Sequence, residues 1–314
     1  MKNNKNVLIT GSLAYDRIMD FPGKFEDQIL PDKIHMLNVS FTINKLKESF
    51  GGTAGNISYN LSLLEEKPIL IGAVGTDFSK YAEWLKKNKI DTGKIKIDKK
   101  ELTASAYIIT DQNDNQIAGF YPGSKDTSCC QLAKKIKKID LAIISPDCKD
   151  RMLEFARIFK AKKVPYIFDP GQQITSFSAK ELLFAINSAR VLIGNDYEIE
   201  FILKKLKLNL EKIGKLVNIV IITKGAEGSE IYNQGKKLAI PSAKPKNTSD
   251  PTGAGDAYRA GLMKGLVNGW TLEKTGKLAG LVAVYTVEKY GTQTHRFTWK
   301  ELGKRYKENF KEEL

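Results

Sequence analysis

DLAIIS (140–145), PYIF (165–168), RVLI (190–193) and NIVIIT (218–223) are four short, almost continuously apolar runs. Segments with apolar residues at helical spacing separate and flank them, near 149–162, 178–188, 196–206 and 209–216. A strand that is apolar on both sides must be covered on both faces, and alternation with helices predicts parallel strands. The expected fold class is therefore α/β, a doubly wound, mostly parallel sheet.

Working outward, residues 6–13 read as a buried first strand ending in a glycine turn. Thr53–Glu65 is amphipathic, with Ile57, Leu61 and Leu64 on one stripe. Residues 68–74 then predict a strand and 79–88 a helix. Beyond the central runs, 228–233 and 236–240 suggest a late antiparallel pair, followed by helices at about 253–268, 271–289 and 298–311. Two stretches break the alternation. A polar, proline-containing stretch runs to about Asp32 and a strand-like one over 36–47, while 103–110 and 115–121 read as paired strands joined by the turn-rich DQNDN. Together they predict a small accessory sheet built from excursions at about 14–48 and 103–121. With no repeat, low-complexity tract or linker, 1–314 reads as a single domain.

Composition narrows the function. The 314 residues are 42% hydrophobic and 27% charged, enough to bury a core despite a net charge of +14. The lysine clusters at 134–138 and 204–207 alternate with apolar residues at helical spacing, as solvated helix faces do. Without arginine clustering or a nucleic-acid motif, no nucleic-acid partner is expected, although a positive field favours anionic ligands. No apolar run approaches a bilayer span, the stretch at the start of MKNNKNVLITGSLAYD is too short for a signal peptide, and three cysteines fit a reducing compartment. The expectation is a cytoplasmic protein with no membrane partner. Two histidines, His35 and His295, leave little for a catalytic triad or a zinc site. There is no GxxxxGK[ST], and the glycine pattern starting at Gly253 meets Tyr258 where a dinucleotide fingerprint needs glycine or alanine.

Two glycine-rich turns carry the chemistry. Asp250-Pro251-Thr252-Gly253-Ala254-Gly255-Asp256 opens a helix. Unpaired N–H groups at a helix start point outward and carry partial positive charge, which suits a transferring phosphoryl group. Asp256, expected to be ionised near that helix start, is placed to accept the proton of an attacking alcohol. Taken alone, Asp256 reads equally as a helix N-cap. Phe50-Gly51-Gly52-Thr53-Ala54-Gly55-Asn56 opens another helix, with Gly55 leaving room for a bulky group and Asn56 offering both donor and acceptor. Asp16, just after the first strand, can accept two hydroxyl hydrogens from a vicinal diol; its alternative is a turn or capping role.

GGTAGN (51–56) and DPTGAGD (250–256), in that order, resemble the two signatures of the ribokinase-like (PfkB) carbohydrate and nucleoside kinase family. Asp16, the N-x-x-E of Asn195-Asp196-Tyr197-Glu198 and Thr223-Lys224-Gly225 extend the resemblance over essentially the whole chain. GSLAYDRIMDFPGKF (11–25), ILPDKIHMLNVSF (29–41), AGFYPGS (118–124), DPGQQI (169–174) and GNDYE (194–198) are similar to stretches of bacterial adenosine kinases within that family. The resemblance implies an α/β domain with a small β-sheet lid, and a purine-salvage reaction in which ATP and adenosine give AMP and ADP. It makes Asp256 the base for the ribose 5′-hydroxyl and Gly253, Ala254 and Gly255 the anion hole. Asp16, Gly52 and Asn56 would hold the ribose. Ser12, Gln172, Gln173, Tyr107 and Phe120 would line the nucleoside pocket, the two aromatics stacking on the purine unless they pack within the lid. Asn195 and Glu198 would organise Mg2+ through water, and Thr223 and Gly225 would border ATP. Asp250 and Thr252, with backbone near 287–291, would take a monovalent cation such as K+. Arg259 would either neutralise phosphate or form a structural ion pair. Pro251 stands where many relatives have threonine and stiffens the turn. The exposed lid face suggests a homodimer.

The alternatives are a kinase for another nucleoside or a furanose sugar, or a basic nucleic-acid-binding protein on a kinase fold. An intact Asp256 beside two glycine turns argues for the enzyme.

Overall fold

In a computed structural model, which describes residues 5–314, the four decisive runs become adjacent parallel strands. In chain order the elements are β1 (Val7–Thr10), β2 (Ala14–Asp20), β3 (Lys45–Gly51), α1 (Thr53–Leu63), β4 (Ile69–Val74), α2 (Ser79–Lys87), β5 (Ile95–Ile97), β6 (Ala104–Thr110) and β7 (Gln116–Tyr121). They continue with α3 (Gln131–Lys135), β8 (Leu141–Ile144), α4 (Lys149–Ala161), β9 (Tyr166–Phe168), α5 (Ala179–Asn187), β10 (Val191–Asn195), α6 (Asp196–Leu206), α7 (Leu210–Leu216) and β11 (Ile219–Thr223). The chain closes with β12 (Ser229–Asn233), β13 (Lys236–Ile240), α8 (Ala254–Val267), α9 (Leu272–Val287) and α10 (Trp299–Phe310).

Among the described residues the large sheet has the order β13-β12-β11-β10-β9-β8-β1-β4-β5. All neighbours from β11 to β5 are parallel, and β12 and β13 add antiparallel at one edge. Side chains alternate between two cores. Val7, Ile9, Leu141, Ile143, Val191 and Ile193 pack with Leu262 of α8 and Leu278 of α9 on one face. Leu8, Ala142, Ile144 and Leu192 pack with Phe155 of α4, Leu182 of α5 and Ile202 of α6 on the other. Each such buried aliphatic side chain contributes roughly 1.5–3 kcal/mol, so the two-sided apolar pattern is what specifies the layering. Cys129 and Cys130 are fully buried in the second core, a packing role that suits small apolar side chains.

The order of strands reverses at β1, which pairs with β4 on one side and β8 on the other. Such a reversal opens a crevice beyond the carboxyl ends of the strands. Thr53, the first residue of α1, sits over it: its Oγ1 donates to the Pro146 carbonyl at 3.0 Å and lies 2.9 Å from Ser145 Oγ.

The accessory sheet has the order β3-β2-β6-β7, with β2 and β6 parallel and both outer pairs antiparallel. The strand expected over 36–47 starts instead at Lys45 and runs to Gly51, because its ladder is registered from Asp20 opposite Lys45 to Ala14 opposite Gly51. Residues 31–36 form 3-10 turns begun by Pro31. The stretch read as polar holds strand β2, whose Asp16, Arg17 and Asp20 mask its alternation. Among the described residues no helix is long and apolar enough to cross a membrane. The expected domain also takes in residues 1–4, which lie outside the described residues.

Candidate active site

The turn of 250–256 is pinned from both ends. Asp250 Oδ1 accepts from Thr252 N at 2.9 Å, and Oδ2 accepts from Gly291 N at 3.0 Å in the loop after α9. Burial opposes the charge of Asp250, but those donors outweigh it and hold its carboxyl below the usual range. Gly253 caps α8 with φ +80°, and a Cβ there would press on Thr292. A side chain at this position would therefore be strained twice over. Ala254 N donates to the Pro251 carbonyl at 3.2 Å, closing the turn, while Gly255 is exposed at the first turn of α8.

Asp256 lies one residue further on, half-buried, and accepts from Asn56 Nδ2 of α1 at 2.8 Å. Burial pushes its carboxyl up to about 7; Arg259 and the Asn56 hydrogen bond pull it down, and Asp169 and Asp16 add to the rise. The helix start, expected to keep Asp256 ionised, is thus opposed by a desolvation that exceeds the stabilisation it supplies. A carboxyl poised near neutrality is well matched to accepting a proton at physiological pH. Arg259 resolves to the structural alternative: it is buried and paired with Asp169, its Nη2 donating to Oδ1 at 2.8 Å and its Nε to Oδ2.

Asp16, in β2, packs its carboxylate against Gly51, and burial followed by nearby Asp250 pushes it up to about 6. Gly52 is the N-cap of α1, and Ser12 Oγ accepts from Thr53 N at 3.1 Å, so the Ser12 hydroxyl supports that helix start. The room expected above Gly55 is already filled. A Cβ at Gly55 would collide with the Tyr81 hydroxyl and crowd Gln293 Nε2, so this glycine serves close packing of α1 against α2.

The two aromatics part company. Tyr107 is registered with Arg17 and Gly119, whereas Phe120 is registered with Ala106, which is registered with Asp16. Side chains on neighbouring residues of a strand point to opposite faces. Phe120 therefore shares the face of Asp16, and Tyr107 lies on the other, where its hydroxyl accepts from Arg17 Nη1 at 2.7 Å. Both cannot stack on one ring, and Tyr107 is corrected to the outer face. Gln172 and Gln173 lie in a 3-10 turn, Gly171–Thr175, just beyond β9 and Asp169, with Gln172 exposed.

Asn195 and Thr223 are registered partners at the carboxyl ends of β10 and β11. Asn195 and Glu198 form a reciprocal cap on α6: Glu198 N donates to Asn195 Oδ1 and Asn195 N to Glu198 Oε2, each at 2.8 Å. Burial raises Glu198, with Asp169 adding to the rise and Arg259 and the Asn195 N–H opposing it. Gly225 is exposed on the turn after β11, and Lys224 pairs with Glu230 rather than reaching solvent freely. Among the described residues no group of three or more His, Cys, Asp or Glu side chains is arranged to hold a metal by itself. A separate cavity of about 340 Å³ between Phe159, Lys163, Arg190 and Asn218 lies by the starts of β9, β10 and β11, away from both glycine turns and without a carboxylate.

Comparison with known proteins adds a family. Residues 11–299 match the model of the pfkB family of carbohydrate kinases. The chain belongs to the pfkB family. A nucleoside kinase of Methanothermobacter thermautotrophicus is 33% identical over 303 residues, spanning 94% of this chain and 93% of the relative. The ligand-free Burkholderia thailandensis nucleoside kinase superposes with a TM-score of 0.87 at 34% identity, covering 96% of this chain and 99% of that one. The same enzyme in complex with inosine superposes with a TM-score of 0.86 at 33% identity, over 98% and 99% of the two chains. A Thermotoga maritima ribokinase, at 20% identity and a TM-score of 0.81 over 96% and 99%, shares the fold.

As a pfkB kinase, the chain has the family's two glycine turns joined by residues that the sequence reading passed over. Thr292 Oγ1 donates to the Phe50 carbonyl at 3.0 Å, and Gln293 touches Asn56, Tyr81 and Trp84. The available signal was a polar Gly291-Thr292-Gln293-Thr294 run between two helices, too short to show a periodic pattern. Asp169 lies within the DPGQQI stretch, and nothing local marks it as the partner of Arg259, 90 residues away.

Proposed function

We propose that this chain is an ATP-dependent nucleoside kinase that phosphorylates the 5′-hydroxyl of adenosine, giving AMP and ADP. One juxtaposition carries the reading: Asp256, at the start of α8, is hydrogen-bonded at 2.8 Å to Asn56 at the start of α1, beside the carboxylate of Asp16. Asp256 accepts the proton of the 5′-hydroxyl as that oxygen attacks the terminal phosphorus. The amides of Gly253 and Gly255 receive the charge of the transferring group, while the Ala254 amide holds the turn closed on Pro251, and positioning supplies most of the rate. Asp16, Gly52 and Asn56 hold the ribose hydroxyls, with Ser12, Gln172 and Gln173 bordering the nucleoside.

Support for a nucleoside rather than a free sugar comes from the accessory sheet. Ile18, Ile108, Ala118 and Phe120 share the face of Asp16, and Phe120 is 62% exposed. An apolar wall beside a diol-binding carboxylate suits a flat base attached to a ribose. The nucleoside kinase relatives point the same way. Inosine, bound by the Burkholderia thailandensis relative, is the second acceptor to consider. A kinase assay with ATP over adenosine, inosine, guanosine, cytidine, ribose and fructose tests this. The expected order places adenosine first; a clear preference for ribose or fructose rejects the nucleoside reading.

Glu198 and Asn195 present hard oxygen donors at the rim of the phosphate end, the chemistry that suits Mg2+ held through water. Mg2+ brought in with ATP would neutralise phosphate charge there, with Thr223 and Gly225 bordering the nucleotide. Asp250 and Thr252 lie against the loop at 287–291, the contact that a K+ site in this position requires. The accessory sheet acts as a lid that closes over the nucleoside and excludes water. Its outer face, with exposed Leu46, Tyr107 and Ile117, and the exposed Leu30, Ile34, Met36 and Leu37 form an apolar surface suited to a homodimer. Sedimentation showing only monomer at assay concentration removes that part. Three free cysteines accord with a reducing cytoplasm.

A further inference from the structure

Four side chains from four segments form a file of hydrogen bonds that ends on Asp256. Trp84 of α2 donates its indole N–H to Gln293 Oε1 at 2.8 Å. Gln293, between α9 and α10, donates from Nε2 to Asn56 Oδ1 at 2.9 Å and to the Tyr81 hydroxyl at 2.7 Å. Asn56 then donates from Nδ2 to Asp256 Oδ2 at 2.8 Å. The Tyr81 hydroxyl itself donates to the Gly51 carbonyl at 2.7 Å.

The direction of this file is determined at its ends. An indole N–H only donates, and a backbone carbonyl only accepts. Gln293 must therefore show its oxygen to Trp84 and its amino group to Tyr81 and Asn56. Asn56 must in turn show its oxygen to Gln293, which leaves its amino group for Asp256. Turning the Asn56 amide over would set oxygen against carboxylate and amino group against amino group. Asn56 and Gln293 are only 4% and 3% exposed, so water is poorly placed to repair such a mismatch.

We infer that Gln293 is a positioning residue for the reaction: anchored by Trp84, it locks the Asn56 amide so that a donor always faces the carboxylate of Asp256. The inference rests on the reading of Asp256 as the base. It gives the loop after α9 a task in catalysis although it carries no reacting group. Besides Asn56 of α1, the groups that face Asp256 are Arg259 on its own helix, Asp169 beyond β9, Asp16 of β2 and the Tyr81 hydroxyl of α2. Substitution at 293 or 84 leaves all of these in place.

The test uses Gln293→Met, which keeps length but removes both polar ends, and Trp84→Phe, which removes the anchoring donor far from the cleft. Carboxyl-13C NMR of aspartate-labelled protein, with the Asp256 signal identified by its loss in Asp256→Asn, reads the titration without turnover. The pH profile of kcat/KM with ATP and adenosine or inosine reads it in action. Losing a reliably oriented donor to the charged form should raise the Asp256 midpoint and the acid limb together by about half to one pH unit, a three- to tenfold loss of the active form at low pH. Activity should recover toward wild type at high pH, and Trp84→Phe should shift in the same direction by less. A loss of activity uniform in pH, or unmoved midpoints in both variants, overturns the inference. Full turnover by Asp256→Asn would instead overturn the base reading, so the two failures are distinguishable. Should Gln293→Met not fold, the Trp84→Phe midpoint decides.

Discussion

Arg259 and Asp169 form a buried two-point ion pair, 90 residues apart in the chain, with Arg259 one helical turn beyond Asp256. The guanidinium lowers and the Asp169 carboxylate raises the proton affinity of Asp256, so the pair acts on the base with opposing signs. Breaking either half leaves an uncompensated buried charge and should cost about 3–5 kcal/mol of stability. The two halves should part in the pH profile. Arg259→Met should move the acid limb of kcat/KM upward, and Asp169→Asn should move it downward. Shifts of the same sign would show that the pair influences Asp256 only through the fold.

Asp256 should also leave a mark on stability. Its folded carboxyl is raised to about 7 from 3.8, so between roughly pH 4 and 7 the folded state holds more proton than the unfolded one. Stability from this group therefore falls as pH climbs through that window and levels off above it. Asp256→Asn removes the penalty. The variant should melt a few degrees higher than wild type at pH 8, with the gap vanishing near pH 4. A variant less stable at pH 8 would contradict a strongly desolvated carboxyl.

The register of the accessory sheet separates its aromatics. Phe120→Ala should raise the nucleoside KM by about three- to tenfold, the range expected for one lost aromatic stack of ~0.5–1.5 kcal/mol, with the KM for ATP unchanged. Tyr107→Phe should leave both values unaltered, because its hydroxyl serves Arg17 on the opposite face. Steady-state kinetics on the two variants check this, and a larger effect at Tyr107 would contradict the assigned faces.

Glu198 caps α6, and in the proposed function it stands at the phosphate end. Glu198→Gln keeps an oxygen for the Asn195 N–H, so melting should change little. The Mg2+ concentration giving half-maximal activity should rise by an order of magnitude or more, because the retained amide oxygen lacks the charge that holds the ion's waters. A titration of activity with Mg2+ at fixed ATP provides the measurement; an unchanged midpoint would confine Glu198 to capping.

The parallel sheet was legible because its strands are apolar on both sides, as Val7-Leu8-Ile9 feeding both cores illustrates. The two glycine turns were legible because an unusual backbone needs glycine whatever surrounds it. Strand β2 was not, since a strand that offers Asp16 to a site and Arg17 to the outer face loses its hydrophobic alternation. The opposite faces of Tyr107 and Phe120 depend on where the hairpin turns, and DQNDN allows more than one register. Gln293 and Asp169 were hidden for another reason. Their partners, Asn56 and Arg259, lie 237 and 90 residues away, and polar contacts of that range have no local signature.

Phosphoryl transfer from γ-labelled ATP to adenosine, compared between the wild-type chain and Asp256→Asn at pH 8, tests the role of Asp256 most directly. The wild type should yield labelled AMP, and the variant should be slower in kcat by roughly 10²–10⁴-fold with its nucleoside KM nearly unchanged, as loss of a general base predicts. Labelled AMP formed by Asp256→Asn at close to the wild-type rate would contradict it.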